Sequence, residues 1–311
     1  MNLYEFIYYM TVHVSLISIL YIILLLCIIY ILYNYIILKW CTLFGSICYD
    51  TLLKWIQVVS KDNYFMNYGY WDKPNMNLFD ANKSLANLIL EKSGALDKKN
   101  IKILDVGCGY GEQDFEWISK LDKSTINAVD ISESQIKIAS EKCKQLKLHS
   151  RLFFDTCDAM LINKKYANNE FNIILSVESA FHYSNRPLFF KGVHDVLQKD
   201  GTFVICDIVL NESYNSKIMD RLFLRIFSDF LHFPTINHIK SKEWEKSITD
   251  SGLKITESID ITDNTFDPYY KNFCNEYIKN KQLPSWITSY LCAFFKNVQP
   301  FSYKVAVCRK E

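Results

Sequence analysis

The segment that most constrains the fold is an apolar run that ends in three closely spaced glycines. The run Ile101–Val106 is followed by the sequence GCGYG at residues 107–111, and Glu112–Leu121 then has the spacing of a helix. Because glycine has no Cβ, the chain can turn sharply here and a ligand can approach the backbone closely. A strand, a glycine loop and a helix in this order predict the first unit of a nucleotide-binding α/β sheet.

Strands and helices alternate through the rest of the chain. The apolar pattern predicts further strands at Thr125–Val129, Leu152–Thr156, Phe171–Val177, Thr202–Val209, Leu253–Ile261 and Phe301–Arg309. It predicts helices at Asp80–Lys92, Glu133–Leu146 and Pro187–Leu197. Such alternation implies right-handed β-α-β crossovers, with an antiparallel strand expected only at the end. We therefore predict a doubly wound, mostly parallel, seven-stranded Rossmann-like α/β sheet that binds ligands at the carboxyl ends of its strands.

Composition limits the classes of function. The 311 residues carry 35 Lys and Arg against 34 Asp and Glu, a formal net charge of +1, so no positive excess favours a nucleic-acid partner. The 10 cysteines include no Cys-x-x-Cys pair and have no histidine at zinc-ligand spacing, so we expect no metal. Cysteines spread in this way behave as small buried apolar residues and favour a reduced, cytosol-facing domain.

Two carboxylates follow the second and third predicted strands. Asp130 stands at the end of the second strand, and Asp158 comes just after the third. A carboxylate at the first position can accept hydrogen bonds from both hydroxyls of a ribose, and one at the second from an exocyclic adenine amine. The alternative is that both acids only cap the helices that follow them.

The loop also distinguishes two classes of cofactor. A dinucleotide fingerprint, Gly-x-Gly-x-x-Gly, would place a glycine at position 112, where this chain has Glu112. A pyrophosphate would also lie badly beside Glu112 and Asp114, whereas a positively charged sulfonium would not. A nicotinamide-dependent oxidoreductase is therefore the less favoured alternative.

Residues 101–208 resemble the core of the class I methyltransferases, which use S-adenosyl-L-methionine (SAM). Motif I of that family matches Asp105–Gly111, and the flanking segments are similar to the type 11 domain of small-molecule C- and O-methyltransferases acting on tocopherol precursors or sugars. The resemblance implies that Asp105 lines the methionine end, Asp130 holds the ribose and Ile131 packs against the adenine. The residues that it assigns to SAM are Asp105, Gly107, Cys108, Gly109, Gly111, Gln113, Asp130, Ile131, Asp158, Ala159, Ser176 and Tyr70.

In that family, the residues that follow the fourth strand face the transferred methyl group, and Ser176–Tyr183 is the corresponding segment of this chain. His182 is the best candidate for a base that deprotonates a hydroxyl acceptor, because its ordinary pKa is about 6.5. Asp207 and Glu178 are candidates to orient that histidine or to bind substrate. The alternatives are that His182 is a structural histidine and that Tyr70 is an ordinary core aromatic.

The acceptor is expected to be a small, lipophilic molecule. The stretch at 210–240 is strongly apolar and follows the last parallel strand, so it is either a lid over an apolar pocket or an added core helix. The loop after the fourth strand lacks the Asn/Asp-Pro-Pro-Tyr/Phe sequence of nitrogen-directed enzymes. With the balanced charge, this argues against a nucleic-acid acceptor.

The N-terminal segment Val14–Leu38 contains no charged residue, and a membrane span needs about 20 apolar residues. A cleaved signal peptide is the alternative, but the basic region before it and a cleavage site after it are both missing. Lysines flank only the carboxyl side, at Lys39, Lys54 and Lys61. The positive-inside rule therefore predicts a single-pass anchor with the catalytic domain facing the cytosol, with the endoplasmic reticulum as one candidate membrane.

These features predict three parts of the chain. Residues 1–40 form the anchor, 41–97 a helical cap with the sequence YGYW, and 98–311 the SAM-binding methyltransferase domain. A membrane-anchored protein that keeps the SAM fold as a catalytically silent binding module is the non-enzymatic alternative. The intact glycine loop and acids argue for retained cofactor binding.

Overall fold

A computed structural model describes residues 59–214, 232–281 and 300–311. It also describes the isolated positions Tyr21, Leu53, Ile56, Gln57, Arg221, Leu224, Arg225 and Ser228. The chain divides into two compact units, residues 1–49 and 50–311. Apart from single positions, the predicted anchor Val14–Leu38 and residues 215–231 of the stretch at 210–240 lie outside the described residues. Within the described ranges, no helix is long and apolar enough to cross a bilayer.

Helices and strands are numbered in chain order over the described residues. The helices are α1 Leu78–Ser93, α2 Glu112–Ile118, α3 Glu133–Gln145, α4 Ile162–Lys165, α5 Arg186–Val196, α6 Ser241–Thr249 and α7 Phe266–Lys281. The strands are β1 Lys102–Val106, β2 Thr125–Asp130, β3 Leu152–Thr156, β4 Phe171–Val177, β5 Leu197–Leu210, β6 Leu253–Asp260 and β7 Phe301–Lys310.

The strands form one seven-stranded sheet in the order β3-β2-β1-β4-β5-β7-β6. Strands β1 to β5 are parallel to one another, and β7 runs antiparallel between β5 and β6. The strand order reverses between β1 and β4, which is the switch point where such sheets bind ligands. The predicted Rossmann-like sheet and its antiparallel last strand are confirmed.

Helices cover both faces of the sheet. On one face Leu85, Trp117 and Ile136, from α1, α2 and α3, belong to one buried cluster. On the other face Phe189 and Trp244, from α5 and α6, belong to a second. Each large apolar side chain buried in this way contributes about 1.5–3 kcal/mol to stability, and the two layers fix the strand ends that carry the site.

Short polar caps place the helices directly after the strands. The side chain of Ser132 accepts a hydrogen bond from Gln135 N and begins α3 two residues after the last residue of β2, Asp130. A predicted boundary differs at β5, which begins at Leu197 because that residue still pairs with Phe171 of β4. The carboxyl ends of β1 to β4 therefore meet at one edge with short connections above them.

Candidate active site

The glycine loop lies at the switch point, between β1 and α2. Its three glycines all have positive φ, which is 83° at Gly107 and 75° at Gly111. A Cβ on Gly107 would lie 2.3 Å from Ser179 Cβ, and one on Gly111 would lie 2.5 Å from the ring of Phe154. Both the backbone conformation and the packing therefore require glycine at these two positions.

Gly109, with φ 57°, is different because open space faces it. A Cβ built there would meet no described atom nearer than Gln135 Oε1 at 3.8 Å. Its N–H donates to Asp130 Oδ2 at 3.0 Å, and Ser132 N donates to Asp130 Oδ1 at 2.9 Å. Burial raises the pKa of Asp130, while these two bonds lower it. The loop and the ribose candidate are thus fixed to each other beside an open space.

Residues assigned to the adenine lie along the same edge. Ile131 is 65% exposed directly after Asp130, which is unusual for an isoleucine next to a buried strand. Asp158 Oδ1 accepts from Met160 N at 3.0 Å and so begins the short turn Ala159–Leu161. The capping role considered from the sequence is therefore present at Asp158, whereas Ser132 and not Asp130 caps α3. Adenine binding by Asp158 stays a prediction.

Asp105 is a fully buried carboxyl in β1, behind the loop. Gln113 Nε2 donates to Asp105 Oδ2 at 2.9 Å and to Cys108 O at 3.1 Å, so the amide ties the acid to the loop. Asp105 Oδ1 accepts no hydrogen bond from any described residue. Burial raises the pKa of Asp105 to about 7. Gln113, predicted to bind the cofactor, therefore positions Asp105 and the loop.

A chain of hydroxyls supports the loop from the side of β4. Ser179 Oγ donates to Val106 O at 3.0 Å and lies 2.9 Å from Ser176 Oγ and 3.0 Å from Tyr183 Oη. Ser179 is the side chain that excludes a Cβ from Gly107. Sequence reasoning identified Ser176 but missed Ser179 and Tyr183. The signal was present in their spacing of four residues directly after β4.

The N-terminal segment that carries YGYW is attached to the domain by its backbone. Tyr70 N donates to Ala81 O of α1 at 2.8 Å, and Trp71 N donates to Asn264 O at 2.8 Å. The ring of Tyr70 is partly buried against the core. Its core contact agrees with the structural alternative, and contact with SAM stays a prediction.

Glu178 follows β4 with φ 50°, a strained backbone conformation for a residue other than glycine. Its Oε2 accepts from Tyr68 N at 2.8 Å and from the Tyr303 hydroxyl. The ring of Tyr68 in turn packs edge-on against Phe266 and Tyr269, with centroids 4.8 and 4.6 Å away. Burial raises the pKa of Glu178 to about 8, so this carboxyl is mostly protonated at neutral pH.

His182 lies in the turn that follows Glu178. Its Nδ1 donates to His232 O at 3.1 Å, which places the ring lone pair on Nε2. Burial lowers the pKa of His182 to about 4, so the imidazole is neutral at pH 7. Asn237 Nδ2 donates to the carbonyls of Phe181 (3.0 Å) and Tyr183 (2.6 Å) on either side and fixes this turn.

Asp207 has partners other than those expected. It is fully buried in β5, where Oδ2 accepts from Trp244 Nε1 at 2.9 Å and Oδ1 accepts from Ile208 N at 2.9 Å. Arg186 Nη1 lies 3.3 Å from Oδ2 in a buried ion pair. Over the described residues no hydrogen bond joins Asp207 to His182. Its geometry is that of a structural carboxylate that anchors α5 and α6, and it gives no support to the role of orienting the histidine.

These residues fit the cofactor that the sequence predicts. The unpaired Oδ1 of Asp105 suits an ammonium group, and the space at Gly109 admits a ligand against the loop backbone. Asp130 at the strand end can accept from ribose hydroxyls, and exposed Ile131 can cover an adenine face. Within the described ranges no cluster of His, Cys, Asp and Glu could hold a metal.

Comparisons with known proteins agree with this site. Residues 97–252 match the family model described as a methyltransferase domain. The chain is 31% identical over 208 residues to erythromycin 3''-O-methyltransferase of Saccharopolyspora erythraea, covering 66% of this chain and 67% of that protein. It is 26% identical over 222 residues to methyltransferase GfsG of Streptomyces halstedii, covering 70% of this chain and 75% of that protein.

Solved structures share the fold at lower sequence identity. Geranyl diphosphate C-methyltransferase from Streptomyces coelicolor superposes with a TM-score of 0.64 at 15% identity, over 82% of this chain and 93% of that one. That structure contains S-adenosyl-L-homocysteine (SAH). The chain belongs to the methyltransferase-domain family and is a class I, SAM-dependent small-molecule methyltransferase.

Proposed function

We propose that this enzyme methylates a hydroxyl group of a small, lipophilic acceptor. The observation that carries the proposal is the state of His182, whose Nδ1 donates to His232 O. This bond fixes the tautomer with its lone pair on Nε2, and burial keeps the ring neutral. A neutral, oriented imidazole after β4 can accept the proton of a hydroxyl.

Methyl transfer requires little more from the protein than alignment and removal of one proton. When bound, SAM supplies a methyl carbon that is already activated by its sulfonium. Asp105, Asp130 and the loop would hold that cofactor, and the fixed turn at His182 would align the acceptor oxygen and exclude water. The low pKa of the histidine makes it a weak base, so proton transfer would accompany attack rather than precede it.

Relatives and side chains favour an oxygen on an apolar molecule. One relative is named for O-methylation of erythromycin, and 31% identity to it supports the same class of accepting atom. An aromatic cluster begins at the histidine: the ring centroid of Phe181 lies 3.8 Å from that of His182 and 5.6 Å from that of Phe233. The ring centroid of Phe301 lies 5.2 Å from that of Phe233 and extends this aromatic cluster. Such surfaces suit a lipophilic acceptor.

The test is a panel of hydroxylated lipophilic and water-soluble acceptors with SAM, read by mass spectrometry. His182→Gln should lower kcat by about 10²- to 10⁴-fold, the usual contribution of a general base, and leave the Kd for SAM within about twofold. His149→Gln, at an exposed position after α3, is the matched control and should behave as wild type. Unchanged turnover in His182→Gln, or methylation of water-soluble acceptors alone, would contradict the proposal.

Methylation of carbon is the second candidate, and Glu178 is the observation that favours it. Attack by a carbon–carbon double bond leaves positive charge on the acceptor, which nearby aromatic rings stabilise, and a proton is lost afterwards. Glu178 could take that proton when ionised, which requires pH near or above its pKa of about 8. NMR of the product separates the two reactions. Loss of activity in Glu178→Gln but not in His182→Gln would favour carbon.

The proposed function includes tethering of the enzyme to a membrane through Val14–Leu38, with the catalytic domain in the cytosol. The absence of charge from that segment supports the anchor. A tether would raise the effective concentration of membrane-dissolved acceptors at the site. Full-length protein should stay in the membrane pellet after an alkaline carbonate wash, and protein lacking residues 1–40 should not. Release of both would exclude the anchor.

A further inference from the structure

A second buried carboxyl lies behind the cofactor site. Asp114, in the first turn of α2, is fully buried, and neither of its oxygens accepts a hydrogen bond of normal geometry from a described residue. Its carboxyl lies within hydrogen-bonding reach of the Asp105 carboxyl, whose Oδ1 is also unpaired. Two carboxyl groups, with three oxygens short of donors, therefore meet at the methionine end of the site.

The surroundings of this pair contain acids and thiols. The carboxyl groups of Asp130 and Glu112 lie near enough to repel the charges of Asp105 and Asp114, respectively, and the thiols of Cys108 and Cys143 lie near Asp114. In the part of the chain that the structure describes, no lysine, arginine or histidine forms an ion pair with either carboxyl. Lys142 of α3 is paired with Glu112 instead. A cation at this place must come from the ligand.

Two carboxylates in contact without a cation do not both ionise, because the charges repel in a low dielectric. One proton held between them gives each carboxyl a hydrogen-bond partner, which explains why other donors are missing. Burial raises the pKa of Asp105 to about 7 and raises that of Asp114 well above its ordinary value. Before cofactor binds, the pair therefore keeps at least one proton at neutral pH.

We propose that Asp114 is a positioning residue that shares one proton with Asp105 and loses it to solvent when the cationic methionine end of SAM binds beside Asp105. The two carboxylates then face the positive charges of the ligand. After methyl transfer the sulfonium has become a neutral thioether, and the pair takes a proton back from solvent. Asp114 thereby favours SAM over the product SAH, whichever acceptor is methylated.

Calorimetric titration of SAM at pH 7, in two buffers with different ionisation enthalpies, counts the protons released on binding. Wild type should release more protons than Asp114→Asn, by about 0.3 to 1 per site, because asparagine keeps the contact with Asp105 and has no proton to lose. The amino group of SAM also titrates, but equally in every variant, so only the difference counts. Glu112→Gln changes a neighbouring acid that is paired with Lys142 and should match wild type.

The dependence on pH and on ligand charge gives a second measurement. From pH 6 to 8 the Kd of wild type for SAM should fall by up to about tenfold per unit, and that of Asp114→Asn should change less. The preference for SAM over SAH should be smaller in Asp114→Asn. The proposal would be overturned if wild type and Asp114→Asn released the same number of protons. It would also be overturned if Glu112→Gln reduced proton release as much as Asp114→Asn does.

A spectroscopic measurement needs no variant, in case Asp114→Asn does not fold. Difference infrared spectra of wild-type protein should show loss of a protonated-carboxyl band when SAM is added and a smaller loss with SAH. A carboxyl band that SAM leaves unchanged would also overturn the proposal.

Discussion

The three glycines of the loop should give three different phenotypes when each is replaced by alanine. All have positive φ, where an L-residue costs about 1–2 kcal/mol relative to glycine. They differ in what a Cβ would meet. At Gly107 it would lie 2.3 Å from Ser179 Cβ, whereas at Gly109 the nearest described atom, Gln135 Oε1, is 3.8 Å away.

The cost of the steric clash therefore distinguishes the Gly107 and Gly109 variants. Gly107→Ala adds an overpacking cost of about 1–3 kcal/mol to the backbone cost, so its free energy of unfolding should fall by about 2–5 kcal/mol. Gly109→Ala should lose only the backbone cost of about 1–2 kcal/mol. Its Cβ would project into the space next to Asp130, however, so its affinity for SAM should fall by at least about tenfold, or about 1.4 kcal/mol.

At Gly111 the free-energy cost of the clash can be measured directly. Its clash would be with the ring of Phe154, at 2.5 Å, which Phe154→Leu shortens. In a double-mutant cycle, Phe154→Leu should recover about 1–3 kcal/mol of the stability that Gly111→Ala loses and leave the backbone cost. Urea denaturation and calorimetric SAM binding give both quantities. Equal stability losses at Gly107 and Gly109, with SAM affinity intact at Gly109, would refute the reasoning.

Three further predictions follow from buried polar groups. Trp244→Phe removes the indole donor to Asp207 and should lower the free energy of unfolding by about 1–3 kcal/mol in urea denaturation, with SAM affinity unchanged. Glu178 binds its proton more tightly in the folded protein, so the free energy of unfolding should fall as pH rises from about 6.5 to 8. Below this range the lowered pKa of His182 has the opposite effect on stability. Glu178→Gln should flatten the slope between about pH 6.5 and 8 in thermal unfolding. Asp130→Ala should abolish calorimetric SAM binding, and an unchanged affinity would remove that residue from the site.

The fold could be predicted because its strands coincide with apolar runs separated by polar turns. Two strands, Leu152–Thr156 and Phe171–Val177, were predicted with the bounds that the structure has, since apolar runs between polar turns mark parallel strands. The first five residues of β5, 197–201, were not predicted. These residues are mostly polar, and only Leu197 among them pairs with β4, across a register shift that sequence periodicity does not detect.

The site could be predicted only where a motif defines it. The loop and Asp130 follow from strand ends, whereas the partners of Asp207 do not, because Trp244 lies 37 residues away along the chain. From the sequence, Glu112 and Asp114 at the start of α2 were interpreted as acids that favour a sulfonium over a pyrophosphate. The burial of Asp114 against Asp105 depends on how that helix packs and could not be inferred from composition or spacing.

The late position of β7 in the chain affects folding during synthesis. Strand β6 pairs with β7, and among the described residues it has no other strand partner, yet β7 starts about 40 residues later in the chain. At usual elongation rates β6 waits roughly 2–8 s on the ribosome before its partner emerges. Its unpaired edge is exposed during that interval, so chaperone binding and aggregation of nascent chains should concentrate at β6.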